Sequence, residues 1–194
     1  KELVKEGVKN VSTLLQCTDP ELFKIPKTDE KVESEVLFVG NSRGIYRKII
    51  KDTLPTKYEL SIYGKGWKDI IEDKYVKGEY IENRELYKYY GGAGVLLNDH
   101  WDDMREKGFV SNRIFDALAS GANVITDRIE GSSLVKNNEY IKSYDSKSDL
   151  KKLIDQVLND TGHSDEAMSR REFVLANHIF EIRVDRIYEI FKNE

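Results

Sequence analysis

The chain has 194 residues, a formal net charge of −4, 39% hydrophobic and 34% charged residues, so it can bury a full core as one large or two small domains and shows no general case for binding nucleic acid. No apolar run approaches the roughly 20 residues of a membrane span, and no signal-peptide pattern opens the sequence. Its single cysteine, Cys17, excludes an internal disulfide and a cysteine-based zinc cluster, which fits a reducing cytoplasm.

Residues 1–31 read as a hinge segment arriving from a further domain on the N-terminal side: VKNVSTLLQ suggests a helix end followed by a strand, and CTDPELFKIPKTDEK is a polar connection with two of the three prolines. From Val36 onward strand and helix alternate. The predicted strands are Val36–Gly40, Tyr58–Tyr63, Val76–Gly78, Gly94–Asn98, Asn123–Thr126 and a short one near Tyr140–Ile141. Most are short and continuously apolar or rich in β-branched and aromatic residues, as expected of parallel strands covered on both faces. The predicted helices are Gly44–Thr53, Arg84–Tyr90 behind an Asn83 cap, Asp149–Leu158, and one bent helix or two from Ser164 to Lys192. Phe173, Ile179, Phe180, Ile187, Ile190 and Phe191 are the expected packing residues of that tail. The fold class is therefore α/β: an open, mainly parallel, Rossmann-like sheet flanked by helices, with C-terminal helices and with a ligand expected at the C-terminal strand ends.

Four constellations carry chemistry. In LFVGNSRGIYR (37–47) a strand runs into Gly40, Asn41 and Ser42 and then a helix bearing Arg43 and Arg47. A backbone that approaches closely and two guanidiniums suit a diphosphate, and the same residues also fit an ordinary turn with solvated arginines. In SIYGKGW (61–67), Tyr63 and Gly64 end a strand in a Gly-x-Gly turn beside a packing tryptophan, Trp67. In the following KGEYIENRELYKYY, the backbone of Glu79–Ile81 is expected to meet a nucleobase edge, with Tyr80 either stacking or packing.

The third constellation, NDHWDDMREKGF (98–109), holds Asp99, His100, Asp102 and Asp103, which resemble a divalent-cation cluster. They are contiguous, however, and Arg105 and Lys107 oppose a cation, so no metal is expected. The segment reads instead as a cleft wall, with His100 near the ligand and Arg105 and Glu106 bonded to a sugar or phosphate. The fourth, GFVSNRIFDALASGANVITD (108–127), is a loop, a short helix, a Gly121 stop and a buried strand. Ser111, Asn112, Arg113 and Asp116 lie near the start of that helix, a geometry that holds an anion on backbone N–H groups while an acid takes sugar hydroxyls. EGSS (130–133) is a weaker anion-contact candidate. His163 and His178 in the tail read as structural or surface histidines.

Taken together, VLFVGNSRG, LSIYGKGW, the long run VKGEYIENRELYKYYGGAGVLLNDHWDDMREKGFVSNRIFDALASGANVITD and NHIFEIRVDRIYEIF resemble the C-terminal half of CgeB-like (spore-maturation-type) glycosyltransferases of the GT-B superfamily. The resemblance implies a donor-binding domain over 32–194 for a nucleoside-diphosphate sugar, no cofactor, metal-independent transfer to an unknown glycan, protein or lipid acceptor, and a missing N-terminal domain. It maps ribose binding to Asp116 and diphosphate contact to Ser111, Asn112 and the 40–43 loop; without a metal, arginines and helix N-termini must stabilise the leaving diphosphate, and Arg43, Arg47 and Arg113 are the candidates. Many retaining relatives carry two glutamates eight positions apart. Here those positions hold Gly108 and Asp116, so Glu106 is the candidate substitute, beside Arg43 and Arg105, for a catalytic role. A degenerate GT-B binding module and a nucleotide-sugar epimerase are the alternatives.

Overall fold

The computed structural model describes residues 2–129, 132, 134, 138–160 and 163–192. Six strands, β1 (Ser34–Val39), β2 (Leu60–Tyr63), β3 (Val76–Gly78), β4 (Ala93–Asn98), β5 (Val124–Asp127) and β6 (Ile141–Tyr144), form one sheet in the order β3-β2-β1-β4-β5-β6. Every pairing is parallel. The order reverses between β1 and β4, so the loops leaving these two strands diverge to opposite sides and open a crevice beyond their C-terminal ends.

The helices are α1 (Glu2–Lys5), α2 (Lys48–Thr53), α3 (Leu86–Gly92), α4 (Asp102–Lys107), α5 (Asn112–Ala119), α6 (Lys147–Asn159), α7 (His163–Asn177) and α8 (Phe180–Lys192). Strand alternation distributes the core. On one face, Val36, Phe38, Val95, Leu97 and Ile125 pack with Ile49 and Ile50 of α2 and Leu150, Ile154 and Val157 of α6. On the other, Leu37, Leu96, Val124 and Ile141 pack with Tyr87 and Tyr90 of α3, Ile114, Phe115 and Leu118 of α5, and Val174 of α7. Each such side chain contributes about 1.5–3 kcal/mol when fully buried, which holds both helical layers on the sheet.

Several element bounds differ from the sequence expectation, each for a local reason. The helix expected from Gly44 starts only at Lys48, because Arg43 and Gly44 both adopt positive φ and leave Ile45 exposed in a turn. Asn83 does not cap a helix; it opens a 3-10 turn, Asn83–Glu85, that leads into α3. The polar stretch 102–107 is itself a helix, which its charge had masked. Residues 8–16 form no strand; beyond α1 and a 3-10 turn at Thr28–Glu30, the described part of the N-terminal segment contributes an isolated bridge between Thr18 and Ile179.

Gly121, at φ 80°, follows α5 as expected, and any Cβ there would meet Ala167 of α7 at 3.0 Å. The tail is two helices broken at His178 and Ile179, and α8 buries none of its residues. Phe173 packs on the core, whereas Phe180, Ile187 and Phe191, expected to pack, are exposed together with Val184 and Tyr188 on one helical stripe. Amphipathic spacing identifies a sticky face, not the surface that covers it.

The N-terminal segment is strapped to the tail. Arg183 donates to the carbonyls of Leu15 (2.7 Å) and Gln16 (3.0 Å), and Arg171 donates to those of Pro20, Phe23 and Ala119 at 2.7–3.0 Å. Residues 15–23 therefore lie against the C-terminal end of α5 and the tail helices, close to the crevice.

Candidate functional site

A cleft of about 380 Å³ opens at the sheet's switch point, within the 300–1,000 Å³ usual for small-molecule sites. Its floor is the end of β1, Phe38 to Asn41. One wall is Tyr63, Gly64 and the Glu79–Ile81 loop with Asn83, Leu86 and Tyr90. The other is Asp99, Trp101 and Met104, and the start of α5, Ser111 to Arg113 with Asp116, closes the end.

The floor depends on a close approach. Gly64, at φ 145°, sits so near the β1 loop that an added Cβ would lie 2.2 Å from the Gly40 carbonyl oxygen, so no larger residue fits. The loops are then stitched together: the Gly40 N–H donates to the Tyr63 carbonyl (2.8 Å), the Trp67 indole N–H to the Gly40 carbonyl (2.9 Å), and the Lys65 N–H to the Asn41 side chain (2.7 Å). Trp67 is 1% exposed and packs edge-on against Phe38, so its role is packing.

At the α5 end, Ser111 caps the helix, its hydroxyl accepting from the Arg113 N–H. One turn further, Asp116 is 6% exposed. Its Oδ1 accepts from the Thr18 hydroxyl at 2.6 Å and its Oδ2 from the Asn112 amide at 3.1 Å. Burial pushes the Asp116 carboxyl up to about 7, against the opposing pull of Thr18, Arg113 and Asn112. Arg113 donates to the Asn98 side chain at 2.9 Å, and Asn98 in turn donates to Thr126 at 3.1 Å, which fixes the guanidinium over the switch point. Tyr90 is pushed up to about 12, mainly by burial, and remains a neutral phenol.

Arg47 pairs with Asp99 through both ends of its guanidinium, at 2.9 and 2.5 Å. Burial holds Asp99 above the usual carboxylate range despite that partner. The Arg47 guanidinium lies 3.9 Å from the centroid of Trp101, and that of Arg43 lies 5.1 Å from the same ring. Because Asp99 cancels Arg47, the cleft's available positive charge among the described residues is Arg43 and Arg113, together with the α5 N-terminus.

The structure thus brings Gly40, Asn41, Arg43, Arg47, Tyr63, Gly64, Tyr80, Ile81, Ser111, Asn112, Arg113 and Asp116 around one cleft. Three expected residues fall elsewhere. Ser42 is fully buried, donating to the Gly66 carbonyl and accepting from the Gly44 N–H, so it shapes the loop from behind. Arg105 turns away to Asp102 (2.5 Å) and towards Asp127 (3.8 Å). Glu106 lies on the exposed side of α4. Gly108, the first position of the acid pair that the resemblance implied, ends α4 with φ 74°.

Two side-chain readings also change. Tyr80 is 72% exposed at the cleft mouth and does not pack. His100 does not face the cleft: its ring is sealed between Asp127 (2.7 Å) and the Ser111 N–H (3.0 Å). The acids of 99–103 point apart, and among the described residues no three acid, histidine or cysteine side chains gather to hold a metal. Of the EGSS candidate, Glu130, Gly131 and Ser133 lie outside the described residues. Thr18 and Trp101 were not singled out as site residues; Thr18 reaches Asp116 across 98 positions, a pairing no local pattern announces.

Comparison with known proteins agrees with the fold. The glycosyl transferase-like family matches residues 43–189. Spore protein CgeB of Bacillus subtilis is 25% identical over 137 residues, which cover 62% of this chain and 43% of that protein. Sucrose-phosphate synthase from Thermosynechococcus elongatus superposes with a TM-score of 0.69 at 18% identity, over 98% of this chain and 55% of that one. T4 phage BGT in complex with its UDP-glucose substrate gives 0.58 at 15% identity, over 95% and 52%. These likenesses show the GT-B glycosyltransferase fold, and this chain spans about half the length of such relatives. Among the described residues no helix is long and apolar enough to cross a membrane.

Proposed function

The chain belongs to the glycosyl transferase-like family, and from that premise we propose that its cleft binds the nucleoside diphosphate of an activated sugar as the donor half of a sugar-transferring enzyme. The observation that carries this reading is the pairing, at one switch-point crevice, of Asp116 with free positive charge on Arg43 and Arg113. A ribose diol donates to the carboxylate; the diphosphate lies between the α5 start and the two guanidiniums. The Glu79–Ile81 loop and Tyr80 meet the base.

Transfer forms a bond from an acceptor oxygen to the anomeric carbon and breaks the bond from that carbon to the diphosphate. Negative charge grows on the leaving diphosphate, where Arg43, Arg113 and the helix N-terminus stabilise it without a metal or other cofactor. The acceptor and its general base belong to the part of the enzyme beyond this chain, and the protein works in the cytoplasm.

Calorimetric titration of the folded chain with UDP, GDP, ADP and their sugar conjugates tests the reading. Saturable binding of at least one, weakened by Arg43→Ala and by Asp116→Ala, is expected; no binding of any overturns it. Gly108 and the outward-facing Glu106 favour a second reading, in which the cleft binds the donor without turnover. Donor that stays intact beside a broad acceptor panel, with the whole protein present, supports that version.

A further inference from the structure

We propose that Thr18 is a positioning residue of the donor site: its hydroxyl orients the Asp116 carboxylate and couples the cleft to the strap of residues 15–23 and the tail. This rests on the donor-site reading above. The hydroxyl lies 2.6 Å from Asp116 Oδ1 in a fully buried bond, and Thr18 is only 1% exposed. The backbone of Thr18 has no freedom to withdraw. Its N–H donates to the His178 carbonyl at 3.0 Å, and Arg183 and Arg171 grip the carbonyls on either side.

A carboxylate offers about four acceptor positions. Thr18 and Asn112 take one on each oxygen, which leaves one on each for a vicinal diol. With Oδ1 pinned from the hinge side, the carboxylate plane is set before ligand arrives, so less ordering accompanies binding. The charged and titratable groups facing Asp116 are Arg113 on its own helix, Cys17 and Asp19 on the hinge segment, and Tyr90 on α3. Among these neighbours the Thr18 hydroxyl favours the ionised acid, the form that accepts two hydroxyls.

Thr18→Val removes the hydroxyl at constant shape, and Thr18→Ser restores it. Two readouts apply to the whole chain: the Asp116 carboxyl titration followed by carbon-13 NMR without ligand, and calorimetric affinity for the best nucleoside diphosphate as a function of pH. Thr18→Val is expected to weaken binding about tenfold or more at neutral pH, and to move both the carboxyl titration and the pH midpoint of binding upward. Thr18→Ser returns both towards wild type. A carboxyl titration unmoved in Thr18→Val overturns the positioning role, as does a serine variant that behaves like the valine one. A wild type that binds no nucleotide instead overturns the donor reading.

Discussion

The Ser111 backbone N–H donates to His100 Nε2 at 3.0 Å, so a buried imidazole anchors the start of α5 to the end of β4. Because Nε2 accepts, the proton sits on Nδ1, which donates to Asp127 Oδ1 at 2.7 Å, while the His100 backbone N–H donates to the other Asp127 oxygen at 3.1 Å. The ring is completely enclosed. Its function is to hold the capping residue of the helix that faces the cleft.

His100→Leu leaves the part-buried Ser111 N–H without its acceptor and takes the ring donor from Asp127, which keeps the backbone N–H of residue 100 and the Thr126 hydroxyl, a change that costs roughly 1–3 kcal/mol. His100→Gln keeps an acceptor near Ser111 and costs less. Urea unfolding measures the stability change, and calorimetry of the residual folded protein shows whether nucleotide affinity falls with it. Equal stability of the leucine variant and wild type would remove His100 from this role.

Arg47 and Asp99 make a buried, doubly bonded pair beneath Trp101. Arg47→Met retains the packing on Trp101 and strands the carboxylate, with an expected cost of about 3–5 kcal/mol. Arg47→Met with Asp99→Asn recovers a large part of that loss, so a double-mutant cycle by chemical denaturation gives a coupling well above an exposed pair's. The loss in the single variant is smaller at pH 5 than at pH 8, because an unpaired buried acid escapes its penalty by taking a proton. Simple additivity of the two substitutions would contradict the pairing.

What the sequence disclosed follows from range. The strands of the sheet were legible because runs such as Val36–Phe38 and Val95–Leu97 are apolar on both faces, and Ser111, Gly121 and Asp116 were legible because caps, stops and i, i+4 neighbours are local. Arg105 and Glu106 were misplaced because a polar string does not reveal which face of α4 turns inward. His100 looked like a ligand contact because its two partners, Asp127 and Ser111, come from other elements. Thr18 was invisible for the same reason in stronger form: only the tail's grip on residues 15–23 carries it to Asp116.

Asp116 and His178 give the protein opposite pH slopes, and separating them tests both. Asp116 is raised to about 7 by burial. A raised acid stabilises the fold while protonated: its contribution is complete below the unfolded value near 4 and is lost as pH rises through about 7. His178 packs at tilted angles against Phe115 and Phe173, accepts from Arg183 at 2.7 Å, and is lowered to about 4, chiefly by burial and then by Arg183. A lowered base does the reverse: its contribution is complete above about 6.5 and is lost as pH falls through about 4. Wild type therefore shows a flattened stability profile between pH 4 and 7. In Asp116→Asn the neutral amide still accepts from Thr18, and an Asn112 side chain turned about its amide supplies the matching oxygen. That variant gains roughly 2–4 kcal/mol over wild type at pH 8 and converges with it near pH 4, while nucleotide affinity drops. His178→Gln loses the acid limb, its stability changing less between pH 6.5 and 4. Urea midpoints across this range decide the matter: an Asp116→Asn variant no more stable than wild type at pH 8 would show that its ionised carboxylate is fully compensated by its donors, and that the site holds its charge without strain.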